Sequence, residues 1–219
     1  MLPLLLVVAF QAPADTAQTP KAATQFDKWE KNILALEKRL TANPPKPGGV
    51  FFVGSSSIVL WDLKKSFPDS GYVNVGFGGS VIADSTHFAP RIITPFRPAT
   101  IVFYAGDNDI GGGRKPEQIA DDFKAFVKVA RTDNPDCKIL HIPVKPSISR
   151  WKKFETQKEA NALVKAYCEK GTGLVYVDVV PAMLGSDGMP IPELFQKDGL
   201  HMTAKGYEIW TAAVNKALK

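Results

Sequence analysis

Three side chains in this sequence could together break an acyl bond: Ser56, Asp198 and His201. A serine hydroxyl is a weak nucleophile until a base takes its proton, and the base needs an acceptor to orient it. Asp198-Gly199-Leu200-His201 sets a carboxylate three residues before a histidine. One turn closes that spacing, so Asp198 can reach the Nδ1 side of the ring while Nε2 faces Ser56. The other two histidines fall inside regular elements, His87 in a helical stretch and His141 in an apolar strand, and read as structural. The developing oxyanion also needs donors. The backbone N–H groups of Ser56 and Gly79 and the side-chain amide of Asn108 are the available set.

These residues need a frame. Val50-Phe51-Phe52-Val53 is a bulky apolar run that enters Gly54-Ser55-Ser56-Ser57, as a buried strand ending abruptly at the start of a helix would. Gly54 permits a tight backbone, and a helix N-terminus favours developing negative charge. A hydroxyl-rich N-cap on an ordinary βα turn would look the same by itself. Ser55 or Ser57 could also attack in a shifted register.

Four more strands follow: Gly71 to Val75, Ala99 to Tyr104, Cys137 to Val144 and Leu174 to Val179. Helical segments separate them. One carries Ile119, Phe123, Phe126, Val127 and Ala130 on a single face, with Pro116 suited to its first position. A short helix is expected from Val59 to Phe67, another from the Arg150 loop to about Cys168, and a last one capped by Thr203. Before them all, Phe26, Trp29, Ile33, Leu36 and Leu40 recur at helical spacing. That helix opens at Thr24 and Asp27, ends at Asn43-Pro44-Pro45, and is expected to place Trp29 in the core. Strands alternating with helices imply a parallel sheet covered on both faces, with sites at the carboxyl ends of its strands. The loops holding Ser56, Gly79, Asn108 and Arg150 all follow strand ends, and Asp198 and His201 come after the last strand. Arg150 and Trp151 are therefore candidates for contact with substrate.

Taken together, the blocks resemble the SGNH, or GDSL-type, serine hydrolases (esterases and lipases). Gly54-Ser55-Ser56 is similar to the family's first block, with Ser56 at the nucleophile, and Asn74 through Gly79 to its second, with Gly79 at the oxyanion glycine. Gly106-Asp107-Asn108-Asp109 is similar to the Gly-x-Asn-Asp block and Asp198 through His201 to the Asp-x-x-His block. Ser55 departs from the family, which usually has Asp there. The resemblance implies a flavodoxin-like three-layer α/β/α fold with a five-stranded parallel sheet. It also implies hydrolysis of acyl or acetyl esters of lipids, carbohydrates or small molecules, with no metal and no cofactor.

Two rival readings use parts of the same residue set. Asp107, Asp109 and Asp198 are hard oxygen ligands that could hold Mg²⁺ in a phosphoesterase, but Gly76-Phe77-Gly78-Gly79 lacks the lysine of a phosphate loop. A carbohydrate-binding or adhesion domain without chemistry would have no use for Ser56, Asp198 and His201 together.

The 219 residues carry a net charge of +5, and the cations are scattered without a block or an Arg-aromatic stripe, which gives nucleic-acid binding no support. Residues 1–14, apolar from Met1 to Phe10 and closing on Ala12-Pro13-Ala14, read as a secretory signal peptide. Residues 15–23 then form a flexible tether, and 24–219 the hydrolase domain of an exported protein without a stable membrane span. Nothing in the sequence specifies an oligomeric state. Cys137 opens a strand and Cys168 closes the following helix, so both lie at the edge opposite the site. They are expected as free, buried thiols with no part in the chemistry.

Overall fold

The strand-forming runs assemble into one five-stranded, all-parallel sheet of order β2-β1-β3-β4-β5 in a computed structural model that describes residues 23–219. The expected signal peptide and all but the last residue of the tether lie outside the described residues. Among the described residues, no helix is long and apolar enough to cross a membrane.

Thr24 and Asp27 tie the first turn together, with Thr24 donating from its N–H (2.9 Å) and hydroxyl (2.8 Å) to the Asp27 carboxylate. A 3-10 turn then leads into α1 (Glu30–Ala42). Next come β1 (Val50–Gly54), α2 (Ser56–Val59), α3 (Leu63–Ser66), β2 (Val73–Asn74) and α4 (Ile82–Ile92). The middle of the chain supplies β3 (Thr100–Tyr104), α5 (Asp107–Gly111), α6 (Pro116–Ala130) and β4 (Lys138–His141). The last elements are α7 (Phe154–Lys170), β5 (Leu174–Tyr176) and α8 (Ala204–Leu218).

Alternation along the strands sends successive side chains to two separate cores. Phe51, Val53, Ile101, Phe103 and Ile139 meet α1, α4, α6 and α7 on one face. Phe52, Val102, Tyr104 and Leu140 meet Trp61, Leu63 and the α8 residues Tyr207, Trp210 and Val214 on the other. The result is the three-layer α/β/α arrangement. Its strand order reverses direction between β1 and β3, the switch point at which sheets of this order place their sites.

Several expected boundaries shift. The helix expected over Val59 to Phe67 is two short helices, with α2 already begun at Ser56. Between them Trp61 turns inward against Phe52 and Asp62 adopts an extended backbone, its side chain accepting from the Lys65 N–H. The second strand shrinks to Val73–Asn74, and the fifth to Leu174–Tyr176. The fourth begins at Lys138 and leaves the ladder after His141, just before Pro143, which has no N–H to give. Thr203 stands at the N-cap position of α8 but does not cap it. Its hydroxyl donates to the Glu193 carbonyl instead (2.8 Å).

His141 lies buried at the end of β4 between Phe103, Phe123 and Tyr176. Burial alone pushes its imidazole down from 6.5 to about 3. A histidine depressed on folding contributes stability that is present above 6.5 and lost as pH falls toward 3. Asp109, raised by burial to about 6, acts with the opposite sign between 3.8 and 6, so the wild-type curve mixes the two. A His141→Phe variant isolates the histidine. Its stability relative to wild type is expected to rise by about 3 kcal/mol between pH 6.5 and pH 4, read by urea denaturation at both pH values. A pH-independent difference would mean that the folded imidazole protonates freely.

Candidate active site

Ser56 is placed by a strand end that accepts nothing larger than glycine before it. Gly54 has φ of +140°, and a Cβ there would lie 1.8 Å from the Tyr104 carbonyl oxygen of the neighbouring strand. The Ser55 N–H donates to that same oxygen (3.0 Å), so the turn is sewn to the end of β3. Ser55, where the resemblance calls for Asp, is 2% exposed, as is Ser57. Of the three hydroxyl residues, Ser56 alone is partly exposed. It is the first residue of α2, which has only four residues and so a far smaller dipole than a full helix. Tyr207 of α8 donates to the Ser57 carbonyl (2.9 Å) and Asn74 to the Ile58 carbonyl (2.6 Å), which hold α2 from two sides.

The residues from the far end of the chain meet Ser56 here. His201 Nε2 lies 3.1 Å from Ser56 Oγ, and His201 Nδ1 lies 2.5 Å from Asp198 Oδ2. A carboxylate facing Nδ1 places the imidazole proton there and leaves Nε2 as the acceptor for the serine hydroxyl. Asp198 Oδ1 accepts the N–H groups of Leu200 (2.9 Å) and His201 (3.0 Å), so one carboxylate both shapes the turn and aims the ring. The Leu200 N–H, the His201 ring and the His201 N–H together hold the Asp198 carboxyl down at about 2. It is ionised throughout the neutral range.

Gly79 and Asn108 approach from the β2 and β3 ends. Gly79 has φ of +81°, a left-handed backbone that a side chain resists. Crowding is the lesser constraint, because a Cβ there would make ordinary contact (3.4 Å) with Trp29. Trp29, expected in the core, is half-buried and packs edge-on against Phe77 at the rim of this loop. Neither the Ser56 N–H nor the Gly79 N–H is spent on another group among the described residues. Asn108, on the short α5 instead of in an open loop, donates one amide hydrogen to the Ser80 carbonyl (3.0 Å) and keeps the second unspent. Unspent N–H groups of this kind can receive an oxyanion.

The two residues assigned to substrate contact, both partly exposed, are each held by a neighbouring side chain. Arg150 turns its guanidinium inward: Nη2 donates to Asn108 Oδ1 (3.1 Å) and Nη1 lies 2.8 Å from Asp107 Oδ1. Trp151 stacks on Phe154 at a centroid distance of 4.4 Å. The residues that sequence reasoning passed over stand behind them. Lys145, 1% exposed, sets its ammonium 3.2 Å from both Asp107 Oδ2 and the Tyr104 hydroxyl. Burial would raise the Asp107 carboxyl, but Lys145 and Arg150 outweigh it and hold it below its ordinary value. The available signal was a lysine directly after an apolar strand in Val144-Lys145-Pro146.

The three carboxylates of the metal rival do not converge. Asp107 faces two cations, Asp109 accepts from the Ile82 N–H (3.2 Å), and Asp198 faces His201. Cys137 and Cys168 are buried and unbridged, and burial pushes both thiols up to about 11. Such thiols stay protonated and unreactive at neutral pH.

The chain is similar to known proteins over most of its length. A family model described as GDSL-like Lipase/Acylhydrolase matches residues 56–209. Platelet-activating factor acetylhydrolase IB subunit alpha2 of Gallus gallus is 25% identical over 211 residues, covering 89% of this chain and 86% of that one. A Bacteroides fragilis structure described as an acylhydrolase superposes with a TM-score of 0.71 at 26% identity, covering 82% of this chain and 92% of its own. A Streptococcus pneumonia structure described as a platelet activating factor gives 0.78 at 18% identity, with coverages of 88% and 94%.

Proposed function

Because the chain belongs to the GDSL-like lipase/acylhydrolase family and hydrolyses esters, we propose that it does so through an acyl-enzyme on Ser56. The observation that carries this reading is the continuous chain from Ser56 Oγ through His201 to Asp198. Ser56 Oγ attacks the ester carbonyl carbon as its proton passes to His201 Nε2. The carbonyl oxygen, now an oxyanion, takes N–H groups from Ser56, Gly79 and the Asn108 side chain. Collapse expels the alcohol, which recovers the proton from His201. Water then attacks the acyl-enzyme with His201 again as base, releasing the acid and restoring Ser56. Asp198, ionised throughout, steadies the imidazolium in both halves.

The substrates we infer are small carboxylic esters with acetyl or other short acyl groups, on a lipid, carbohydrate or small alcohol. The name of the Gallus gallus relative, an acetylhydrolase, supports the short acyl group. The apolar Met1 to Phe10 segment supports export with cleavage after Ala14.

A fluorophosphonate probe tests the chemistry. Ser56 Oγ displaces fluoride and forms an Oγ–P bond, so peptide mapping is expected to find the adduct on Ser56 alone, with hydrolysis of p-nitrophenyl acetate lost in parallel. Across p-nitrophenyl esters of increasing length, kcat/KM is expected to be highest at the short end. An unlabelled protein would return the chain to the class of binding domains, and a preference for long acyl groups would overturn the short-acyl assignment.

A further inference from the structure

Asparagine is a two-faced group: turned over, its amide would offer the reaction centre an oxygen, which repels an oxyanion. The neighbours of Asn108 forbid that. The Ser80 carbonyl can only accept, so it must face the NH₂ side; Arg150 can only donate, so it must face Oδ1. Both contacts dictate one orientation and leave the second amide hydrogen aimed away from either partner.

Arg150 is itself held on three sides. Its Nη1 rests against Asp107 Oδ1 at 2.8 Å, an ionic approach outside hydrogen-bond angles. The Asp107 carboxylate is anchored from behind by buried Lys145, with Gln157 Nε2 at the edge of hydrogen-bond range (3.5 Å). The flat of the guanidinium lies on Gly111, where an added Cβ would come within 3.1 Å of Arg150 Cζ. A planar guanidinium with fixed donors suits this task, whereas a lysine ammonium keeps the charge without the fork.

We propose that Arg150 is a positioning residue for hydrolysis: braced by Asp107 and Lys145, it locks the Asn108 side chain with its free N–H toward the oxyanion. This rests on the reading of Asn108 as an oxyanion donor. A donation from a cation to Oδ1 also polarises the amide, which strengthens the hydrogen bond its N–H gives.

The test is a double-variant cycle on kcat and KM for p-nitrophenyl acetate. Asn108→Ala is expected to lower kcat by roughly 10²–10³-fold, the cost of one lost donor. Arg150→Met is expected to lower kcat roughly 10- to 100-fold with KM within about twofold, and Arg150→Lys to recover part of that loss. In the Asn108→Ala background, Arg150→Met is expected to cost no more than about twofold, because its partner is gone. If Arg150→Met does not fold, Gly111→Ala takes its place, displacing the guanidinium without removing charge, with the same expectations. An Arg150 loss that persists in full without Asn108, or that falls on KM, overturns the positioning role and leaves the oxyanion assignment standing. An Asn108→Ala enzyme with unchanged kcat overturns that assignment, and the role of Arg150 with it.

Discussion

Ester hydrolysis by the Ser56→Ala variant is expected to fall roughly 10⁴- to 10⁶-fold, to the residual rate that a bare oxyanion site and binding provide. The expected change in Tm is under about 2 °C. Among the described residues the hydroxyl's only partner is the His201 ring, and Ser56 is partly exposed, so removing the hydroxyl opens no buried cavity. Stopped-assay kinetics and a thermal melt on the same preparation make the comparison. The neighbouring serines are the controls. Both are buried, and the Ser57 carbonyl is engaged by Tyr207, so Ser55→Ala and Ser57→Ala are expected to retain most activity. A dead Ser55→Ala beside an active Ser56→Ala would move the nucleophile by one residue.

The second large effect belongs to His201. His201→Ala is expected to be as inactive as Ser56→Ala, and the double variant no worse than either, because base and nucleophile act as a unit. Asp198→Ala is expected to keep roughly 10- to 100-fold more activity than His201→Ala, since it removes the support of the ring but not the ring. Asp198→Asn discriminates the two jobs of this carboxylate. An amide oxygen can still accept the Leu200 and His201 N–H groups and keep the turn. Its NH₂ facing Nδ1 would nonetheless drive the imidazole to the wrong tautomer, with the proton on Nε2. Asp198→Asn is therefore expected to be no more active than Asp198→Ala despite its better-preserved turn. Equal activity to wild type would show that Asp198 serves the turn alone. Because its carboxyl sits at about 2, no inflection of the rate above pH 4 can come from Asp198 itself.

How much of this was legible in the residues divides by the range of the interaction. Local chemistry is written in neighbours. An apolar run broken by Gly54 marks the end of a strand, and the Asp198-to-His201 spacing closes a turn with a ring and a carboxylate in reach. The alternation of apolar strands with amphipathic helices implies a parallel sheet. Such a sheet gathers strand-end loops on one edge by geometry alone, so the sequence groups Ser56, Gly79, Asn108 and His201.

What the residues by themselves could not decide was set by partners distant in sequence. Gly54 is demanded by the carbonyl of Tyr104, fifty residues away, and nothing near Gly54 encodes that collision. The break between α2 and α3 depends on Trp61 finding Phe52 in the second core, which outweighs continuous helix propensity. Arg150 was read as facing substrate because its loop leaves a strand end, where ligands bind. Its actual direction follows from Asp107, a carboxylate that sheet closure buries and that only cations can then balance. Sequence spacing determines which residues arrive at an edge. Which way each side chain turns there is decided by burial, because a charge removed from water must face its counter-charge, and that pairing exists only once the strands have met.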